Sequence, residues 1–193
     1  MESQFISPYE GLLLGDLSFE FPKNTHAIGR LDKHSEGLLL LTTNKKITAL
    51  LFQSKVLHKR TYIVQVKHVM AAEALSKLRN GINIRIKGGA YYCTPPCDVQ
   101  LIQPLTDTCP PPRSIHPNQA TSWIQITLTE GKYHQVRKMM AAAGHRCLRL
   151  IRVAIEDMLL GDLAPGAIKE VEETIFFDQL KLDRSSIGVV DAA

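Results

Sequence analysis

Apolar and polar residues repeat with two different periods along this chain. Alternation predicts half-buried strands, which are expected over residues 59–66, 82–86 and 122–129. Apolar residues three and four positions apart predict amphipathic helices, over residues 45–52, 70–78, 130–143 and 172–180. Gly88-Gly89 should turn the second strand into a hairpin, and a basic strand is expected over residues 147–153. Strands and helices without a regular βαβ rhythm favour an α+β fold.

The most distinctive stretch joins a polar segment around Asp32 to four leucines, Leu38–Leu41. The leucine run is short and closes on Thr42, so it fits a strand covered on both faces better than a membrane span. Asp32 would then lie in a loop at the mouth of that strand, where a rigid element can present a reactive group. Spacing alone favours the simpler interpretation, in which Asp32 only forms a turn.

A second stretch, residues 130–140, is expected to begin a helix that ends at Gly144. An apolar stripe would bury one side of this helix, formed by Val136, Met139, Met140 and Ala143. A neighbouring face would carry three groups that can bear positive charge, His134, Arg137 and Lys138. A solvated helix face is the ordinary explanation of such a pattern.

The net charge of +4 is distributed unevenly along the sequence. Residues 130–152 hold 6 Lys and Arg against 1 Glu, a local charge of +5, whereas residues 153–193 hold 3 against 9, a local charge of −6. A concentrated basic stretch indicates a polyanionic partner, with the acidic tail lying away from it. Basic runs are also common on solvated faces, so charge supports nucleic-acid binding without establishing it.

Length and composition limit the remaining possibilities. At 193 residues and 45% hydrophobic content, residues 1–193 can form one domain, with two tightly joined subdomains as an alternative. No signal peptide or membrane span is apparent, so a cytoplasmic protein is expected. Four irregularly placed cysteines favour free thiols over disulfides. Cys93-x-x-x-Cys97 lacks a second half, so no metal site is expected.

Three segments together resemble RsuA-type pseudouridine synthases. Residues 29–42 resemble the Gly-Arg-Leu-Asp-x-x-Ser/Thr-x-Gly-Leu-Leu-Leu-Leu-Thr signature of that family, and residues 130–139 resemble its third motif. Residues 59–62 resemble its Lys-x-Tyr-x-Val segment. Residues 111–115, followed by Ser122-Trp123, resemble a single-domain subgroup that acts on large-subunit (23S) ribosomal RNA. The family's Lys-Pro first motif is missing, and Ile155-Glu156 replaces its Ile-Gly.

The resemblance implies a mixed, largely antiparallel sheet with flanking helices and a central active-site cleft. It also implies isomerisation of uridine to pseudouridine in ribosomal RNA. This reaction involves no redox change and no donor group, so no cofactor or metal is expected. The protein is expected to act as a monomer. Asp32 would be the essential catalytic residue, and Arg137 would pair with it and favour its ionised form. Tyr62 would be a further catalytic residue, which stacks on the target base and could act as a general base. The small S4-like RNA-binding domain that many relatives carry at the N-terminus is expected to be absent.

Further residues are expected around the bound RNA. Arg30 and the basic helix face would hold phosphates. The resemblance places three residues of the second stretch near the RNA: His134, Gln135 and Lys138. Arg113, which lies in a proline-rich loop, is also expected to bind RNA. Leu148 or Leu150 would line the pocket beneath the base, although core packing explains either leucine equally well.

Two alternatives belong to other functional classes. A non-catalytic RNA-binding protein would use the same scaffold and the +5 segment for affinity alone. A glycoside hydrolase would use Asp32 and Glu36 as a pair of carboxyl groups across a sugar pocket, although the basic neighbours disfavour that chemistry.

Overall fold

The structure is a computed structural model, and it describes residues 2–52, 56–104, 115–116 and 118–184. These residues contain ten strands and four α-helices. In chain order they are β1 (His26–Ala27), β2 (Glu36–Gly37), β3 (Leu41–Thr42), α1 (Lys46–Phe52), β4 (Arg60–Lys67), α2 (Ala72–Asn80), β5 (Asn83–Arg85), β6 (Tyr91–Cys93), β7 (Asp98–Ile102), β8 (Thr121–Leu128), α3 (Gln135–Ala142), β9 (Cys147–Ile155), β10 (Met158–Leu159) and α4 (Glu173–Gln179).

A six-stranded sheet with β4 near its centre organises the fold. Its neighbouring strands β10, β9, β4, β8 and β7 are all antiparallel, and β2 adds a short parallel pairing to β9. The β5–β6 hairpin and the β1–β3 pair form two further small sheets. The predicted α+β class with a largely antiparallel sheet is therefore confirmed.

Two hydrophobic clusters support the sheet, and β9 contributes to both. In the larger cluster, helices α2 and α3 pack with the central strands, and its members include Val64, Leu78, Ile124, Met139 and Leu150. The smaller cluster joins α1 and α4 to the leucine run and to the end of β9, and its members include Leu38, Leu40, Leu51, Ile155 and Phe177. The site described below lies where the leucine run meets β9.

The leucine run does not form the single strand that was predicted. Strand β2 ends at Gly37, and β3 begins at Leu41 and pairs with a different strand, β1. Leu38 and Leu40 are buried, whereas Leu39 and Leu41 are only half-buried, so the run is not covered on both faces. Gly37 explains the break, because it has a φ of +99° and lies against the backbone of Arg152.

Helix α3 begins five residues later than the sequence pattern indicated. It starts at Gln135 rather than near residue 130, and His134 precedes it with a left-handed φ of 55°. His134 therefore does not share a helical face with Arg137 and Lys138, contrary to the prediction. The apolar stripe is confirmed, since Val136, Met139 and Met140 are buried. Gly144 follows the helix with a φ of +85°, as expected for a helix terminator.

Several local predictions are confirmed. The Asn44 carboxamide oxygen accepts a hydrogen bond from the Lys46 N–H at 3.0 Å and caps α1. The β5–β6 hairpin forms through Gly88-Gly89. Strands β7 and β10 were not predicted, because each is short. Strand β7 is defined by its pairing to β8, which is distant in sequence, and β10 is defined by its pairing to β9, which directly precedes it. None of the helices within the described ranges is long and apolar enough to cross a membrane.

Candidate active site

Asp32 lies in the loop between β1 and β2, with its side chain 31% exposed. The Ser35 N–H donates to the Asp32 carbonyl at 2.8 Å, which closes a tight turn around the carboxylate. The Leu31 N–H donates to the Ser3 hydroxyl at 2.9 Å, and that hydroxyl contacts the Leu31 carbonyl at 3.1 Å. The backbone on both sides of Asp32 is thus fixed while its side chain remains accessible.

Among the described residues, the His134 imidazole lies close to this carboxylate. His134 Nε2 lies 3.6 Å from Asp32 Oδ1. One face of the imidazole stacks on Tyr133, with ring centroids 3.9 Å apart and an angle of 16° between the planes. The left-handed conformation of His134 lets the turn before α3 bring this ring to the Asp32 loop.

Three arginines from α3 and β9 hold the segment that follows Asp32. Arg137 donates to the His34 carbonyl and, at 3.2 Å, to the Ser35 hydroxyl. The Arg149 Nε donates to Glu36 Oε1 at 2.8 Å, and the Arg149 Nη2 donates to Glu36 Oε2 at 2.8 Å, so the two side chains form a bidentate pair. The Arg152 Nε donates to the Leu38 carbonyl at 2.8 Å. The loop is therefore positioned by the strand and helix that face it.

The expected ion pair between Asp32 and Arg137 does not form between these two described residues. The Arg137 guanidinium is occupied by the His34 carbonyl and the Ser35 hydroxyl, which belong to the same loop. Arg137 is therefore connected to Asp32 through the loop backbone rather than by direct contact. Sequence reasoning placed the correct side chain beside the loop but assigned it the wrong partner.

Arg152 connects Asp32 with Tyr62, a link that the sequence analysis missed. Tyr62 on β4 pairs in register with Arg152 on β9. Burial lowers the pKa of Arg152, while Tyr62 and Asp32 both act against that lowering, so the guanidinium lies near both groups. Its Nη2 is buried and has no hydrogen-bond partner in the described part of the chain. An arginine inside an apolar strand was the sequence signal that could have identified this residue.

A groove next to the loop carries positive charge. Its volume is about 370 Å³, and it is lined by Arg137, Ala141, Gly144, His145, Arg146 and Cys147. Burial raises the pKa of the Cys147 thiol to about 11, although Arg137 acts in the opposite direction. The thiol is therefore a neutral wall of the groove at physiological pH, and its two arginines provide the charge.

Comparison with known proteins identifies the fold that carries this site. Residues 14–142 match the family model described as RNA pseudouridylate synthase. This chain belongs to the pseudouridine synthase family. It is 40% identical over 151 residues to the ribosomal large subunit pseudouridine synthase E of Vibrio parahaemolyticus, a match that covers 78% of this chain and 61% of that protein. The protein of the same name from Xanthomonas axonopodis pv. citri is 39% identical over 149 residues, with 76% of each chain covered.

A solved structure agrees with this assignment. A crystal structure of a pseudouridylate synthase superimposes with a TM-score of 0.67 at 25% identity, covering 84% of this chain and 63% of that one. The matched region thus spans about three fifths of the Vibrio relative and of the solved synthase chain.

The other residues expected near RNA occupy different environments in this synthase family member. Arg30 is exposed two residues before Asp32, and Lys138 is half-buried. Gln135, by contrast, is only 4% exposed. Its amide nitrogen donates to Glu130, and its oxygen accepts from the Lys132 N–H at 2.8 Å. Gln135 therefore organises the turn before α3 rather than offering a surface to RNA. Arg113 lies outside the described residues.

The two leucines proposed to line the pocket are not equivalent. Leu150 is 4% exposed and belongs to the larger hydrophobic cluster, in register with Val64. Its position is explained by core packing. Leu148 is half-buried, so the pocket assignment remains a prediction for that residue. In the described ranges no three His, Cys, Asp or Glu side chains are grouped so that they could hold a metal ion.

Proposed function

We propose that this chain is an RNA pseudouridine synthase that isomerises a uridine of large-subunit ribosomal RNA. The observation that carries the proposal is the accessible Asp32 carboxylate on a loop fixed by Arg137, Arg149 and Arg152. The half-buried Tyr62 lies nearby across the Arg152 guanidinium. The names of the relatives supply the substrate class.

The proposed reaction requires a carboxylate but no external reagent. The N1–C1′ bond of uridine breaks, the uracil rotates, and a C5–C1′ bond forms. The proton at C5 is lost and N1 gains one, so the product is an isomer of the substrate. A carboxylate can attack the sugar carbon or stabilise its positive charge, and Asp32 is placed for either role. Because no redox change or donor group is involved, the chemistry needs no cofactor.

The target uridine must leave the RNA stack before it can reach Asp32. Flipping a base out of a stack costs a few kcal/mol, which contacts to the surrounding RNA must offset. Exposed Arg30 beside the loop and Arg146 in the groove supply cations for the phosphates. Tyr62 would pack against the flipped base. The RNA thus approaches from the side on which the Asp32 carboxylate is exposed.

The finer assignments also belong to this proposal. We place the target uridine in 23S ribosomal RNA and the enzyme in the cytoplasm, as expected for the subgroup named in the sequence analysis. We also propose that the enzyme acts as a monomer. Asp32, Tyr62, Arg137 and Arg152 all come from one chain, so a second copy is not needed to assemble the site.

The structure disfavours the glycoside hydrolase alternative. That reaction requires a second carboxyl group free to act as acid or base. Glu36 is instead held by Arg149 through two contacts of 2.8 Å. Both oxygens of the Glu36 carboxylate are therefore occupied by Arg149, so Asp32 lacks a free carboxyl partner at this spacing.

Asp32→Asn tests the proposed chemistry, because it removes the charge and nearly keeps the shape of the side chain. The substrate is a large-subunit ribosomal RNA transcript labelled with tritium at C5 of uridine, and tritium release reports the reaction. The wild-type protein should release tritium, and the variant should release none above background. Asp98→Asn, which changes an exposed aspartate on β7, is the matched control and should retain full activity.

The opposite result would refute the assignment. An Asp32→Asn variant as active as the wild-type protein would remove Asp32 from the chemistry. A wild-type protein that binds the transcript without releasing tritium would favour the non-catalytic RNA-binding alternative.

A further inference from the structure

Two stacked rings extend from Asp32 to the solvent. The inner ring is His134, whose Nε2 lies 3.6 Å from Asp32 Oδ1. The outer ring is Tyr133, which stacks on the His134 ring with centroids 3.9 Å apart. Tyr133 is 74% exposed. These two residues, called the Tyr133–His134 stack below, make a continuous aromatic surface that begins at the proposed reaction centre and ends in water.

Core packing does not explain the position of Tyr133. The ring belongs to neither of the hydrophobic clusters formed by the described residues. The turn that carries it is held from beneath by Gln135, whose amide bonds to Glu130 and to the Lys132 N–H. His134 adopts a left-handed backbone conformation, which most residues avoid at some energetic cost. Buried polar contacts thus hold a turn whose Tyr133 ring is exposed to solvent.

Positive charge accompanies the exposed ring. The Lys138 Nζ lies 5.4 Å from the Tyr133 ring centroid, and the Lys132 Nζ lies 4.1 Å from the centroid of Tyr92. Both lysines belong to the +5 segment identified in the sequence. Aromatic rings flanked by cations are the arrangement that binds single-stranded nucleic acid, because the rings stack on bases and the cations neutralise phosphates.

We propose that the Tyr133–His134 stack binds the base of a nucleotide next to the target uridine, an inference that rests on the proposed function. When the target base turns toward Asp32, its neighbour loses a stacking partner. The exposed Tyr133 ring replaces that partner, and Lys138 contacts the phosphate of the same nucleotide. Such a contact accepts any base, since every base has a flat aromatic face. Tyr133 therefore strengthens RNA binding without taking part in the chemistry.

Tyr133→Ala and Tyr133→Phe separate this role from a structural one. Tritium release from the labelled large-subunit transcript gives KM and kcat, and filter binding of the same transcript gives Kd. Tyr133→Ala should raise KM and Kd about tenfold, because stacking one base contributes about 1–3 kcal/mol. Its kcat should remain within about twofold of the wild-type value. Tyr133→Phe keeps the ring and should restore KM and Kd to the wild-type level.

Tyr91→Ala is the matched control, because Tyr91 is 76% exposed but lies outside the stack. It should leave KM and Kd unchanged. A Tyr133→Ala variant with wild-type Kd, or a Tyr133→Phe variant as weak as Tyr133→Ala, would overturn the proposal. A fall in kcat at constant KM would overturn it too. If the wild-type protein releases no tritium, the proposed function fails, and the ratios of Kd alone decide whether the stack binds RNA.

Discussion

At the scale of single residues, the position of Arg152 differs most from what its sequence neighbourhood suggests. It lies in a strand of leucine, isoleucine and valine, yet its guanidinium touches the leucine run and lies near both Tyr62 and Asp32. A buried cation is retained where nearby groups offset the cost of removing it from water, and Tyr62 and Asp32 both act in that direction. We therefore expect Arg152 to be a positioning residue that supports Tyr62 and the Asp32 loop.

Replacing Arg152 with Met tests this positioning role. We expect kcat to fall by about 10–100-fold, because the loop and the phenol lose their common support, as happens when second-shell contacts are removed. KM for the RNA should change by less than about twofold, since the buried guanidinium offers no surface to the substrate. Arg152→Lys keeps the charge but not the planar geometry and should recover only part of kcat.

Tritium release measures both parameters for these variants, and thermal unfolding checks that they remain folded. An Arg152→Met variant that folds and retains wild-type kcat would contradict the positioning role. An increase in KM without loss of kcat would instead make Arg152 an RNA contact.

At the scale of elements, the site depends on the two-residue strand β2 and its parallel pairing to β9. Gly37 allows the two backbones to approach closely. A Cβ at this position would lie 2.2 Å from the Arg152 carbonyl oxygen and 2.8 Å from the Arg152 nitrogen. Backbone atoms cannot move aside as a flexible side chain can, so this contact specifies glycine.

Gly37→Ala should therefore lower the free energy of unfolding by about 2–4 kcal/mol, because it combines a backbone clash with a φ of +99°. Gly88→Ala is the matched control: Gly88 has a φ of +83° but nothing within 4 Å of the added Cβ. It should cost only the backbone strain, about 1 kcal/mol. Urea unfolding of both variants measures the difference. Equal losses would show that the close approach to Arg152 is unimportant.

The sequence predicted elements well where local pattern and tertiary pairing agree. Strands β4 and β8 follow their alternation, and Gly88-Gly89 makes the expected hairpin. The prediction was wrong where long-range contacts override the local pattern. Gly37 divides the leucine run between two sheets, and the Gln135–Glu130 contact holds the preceding turn out of helix α3. The partner of Arg137 could not be predicted either, because side-chain pairing across distant segments leaves no trace in spacing.

At the scale of the whole molecule, alkaline pH should destabilise the fold. Burial raises the pKa of Cys97 and of Cys147 to about 11 from an ordinary value of 9.0. A hydrogen bond to Glu130 raises the pKa of Tyr92 to about 12 from 10.0. In all three cases the folded pKa exceeds the unfolded one. The unfolded state therefore releases protons first as the pH rises above about 9, and stability falls from there.

Ionisation of these three groups should therefore leave the melting temperature nearly unchanged up to pH 9 and should lower it between pH 9 and 12. Circular dichroism melts across that range would measure the decline. A variant that carries Cys97→Ala and Cys147→Ala should show a shallower slope than the wild-type protein. The same slope in both proteins would exclude the two thiols as the cause.

Strand β9 contributes Leu150 to one hydrophobic cluster and Ile155 to the other, and Arg152 lies between them. The loop that carries Asp32 is thus held by a strand that contributes to both hydrophobic clusters. A large-to-small substitution in either cluster is therefore expected to shift this loop as well as to loosen the core.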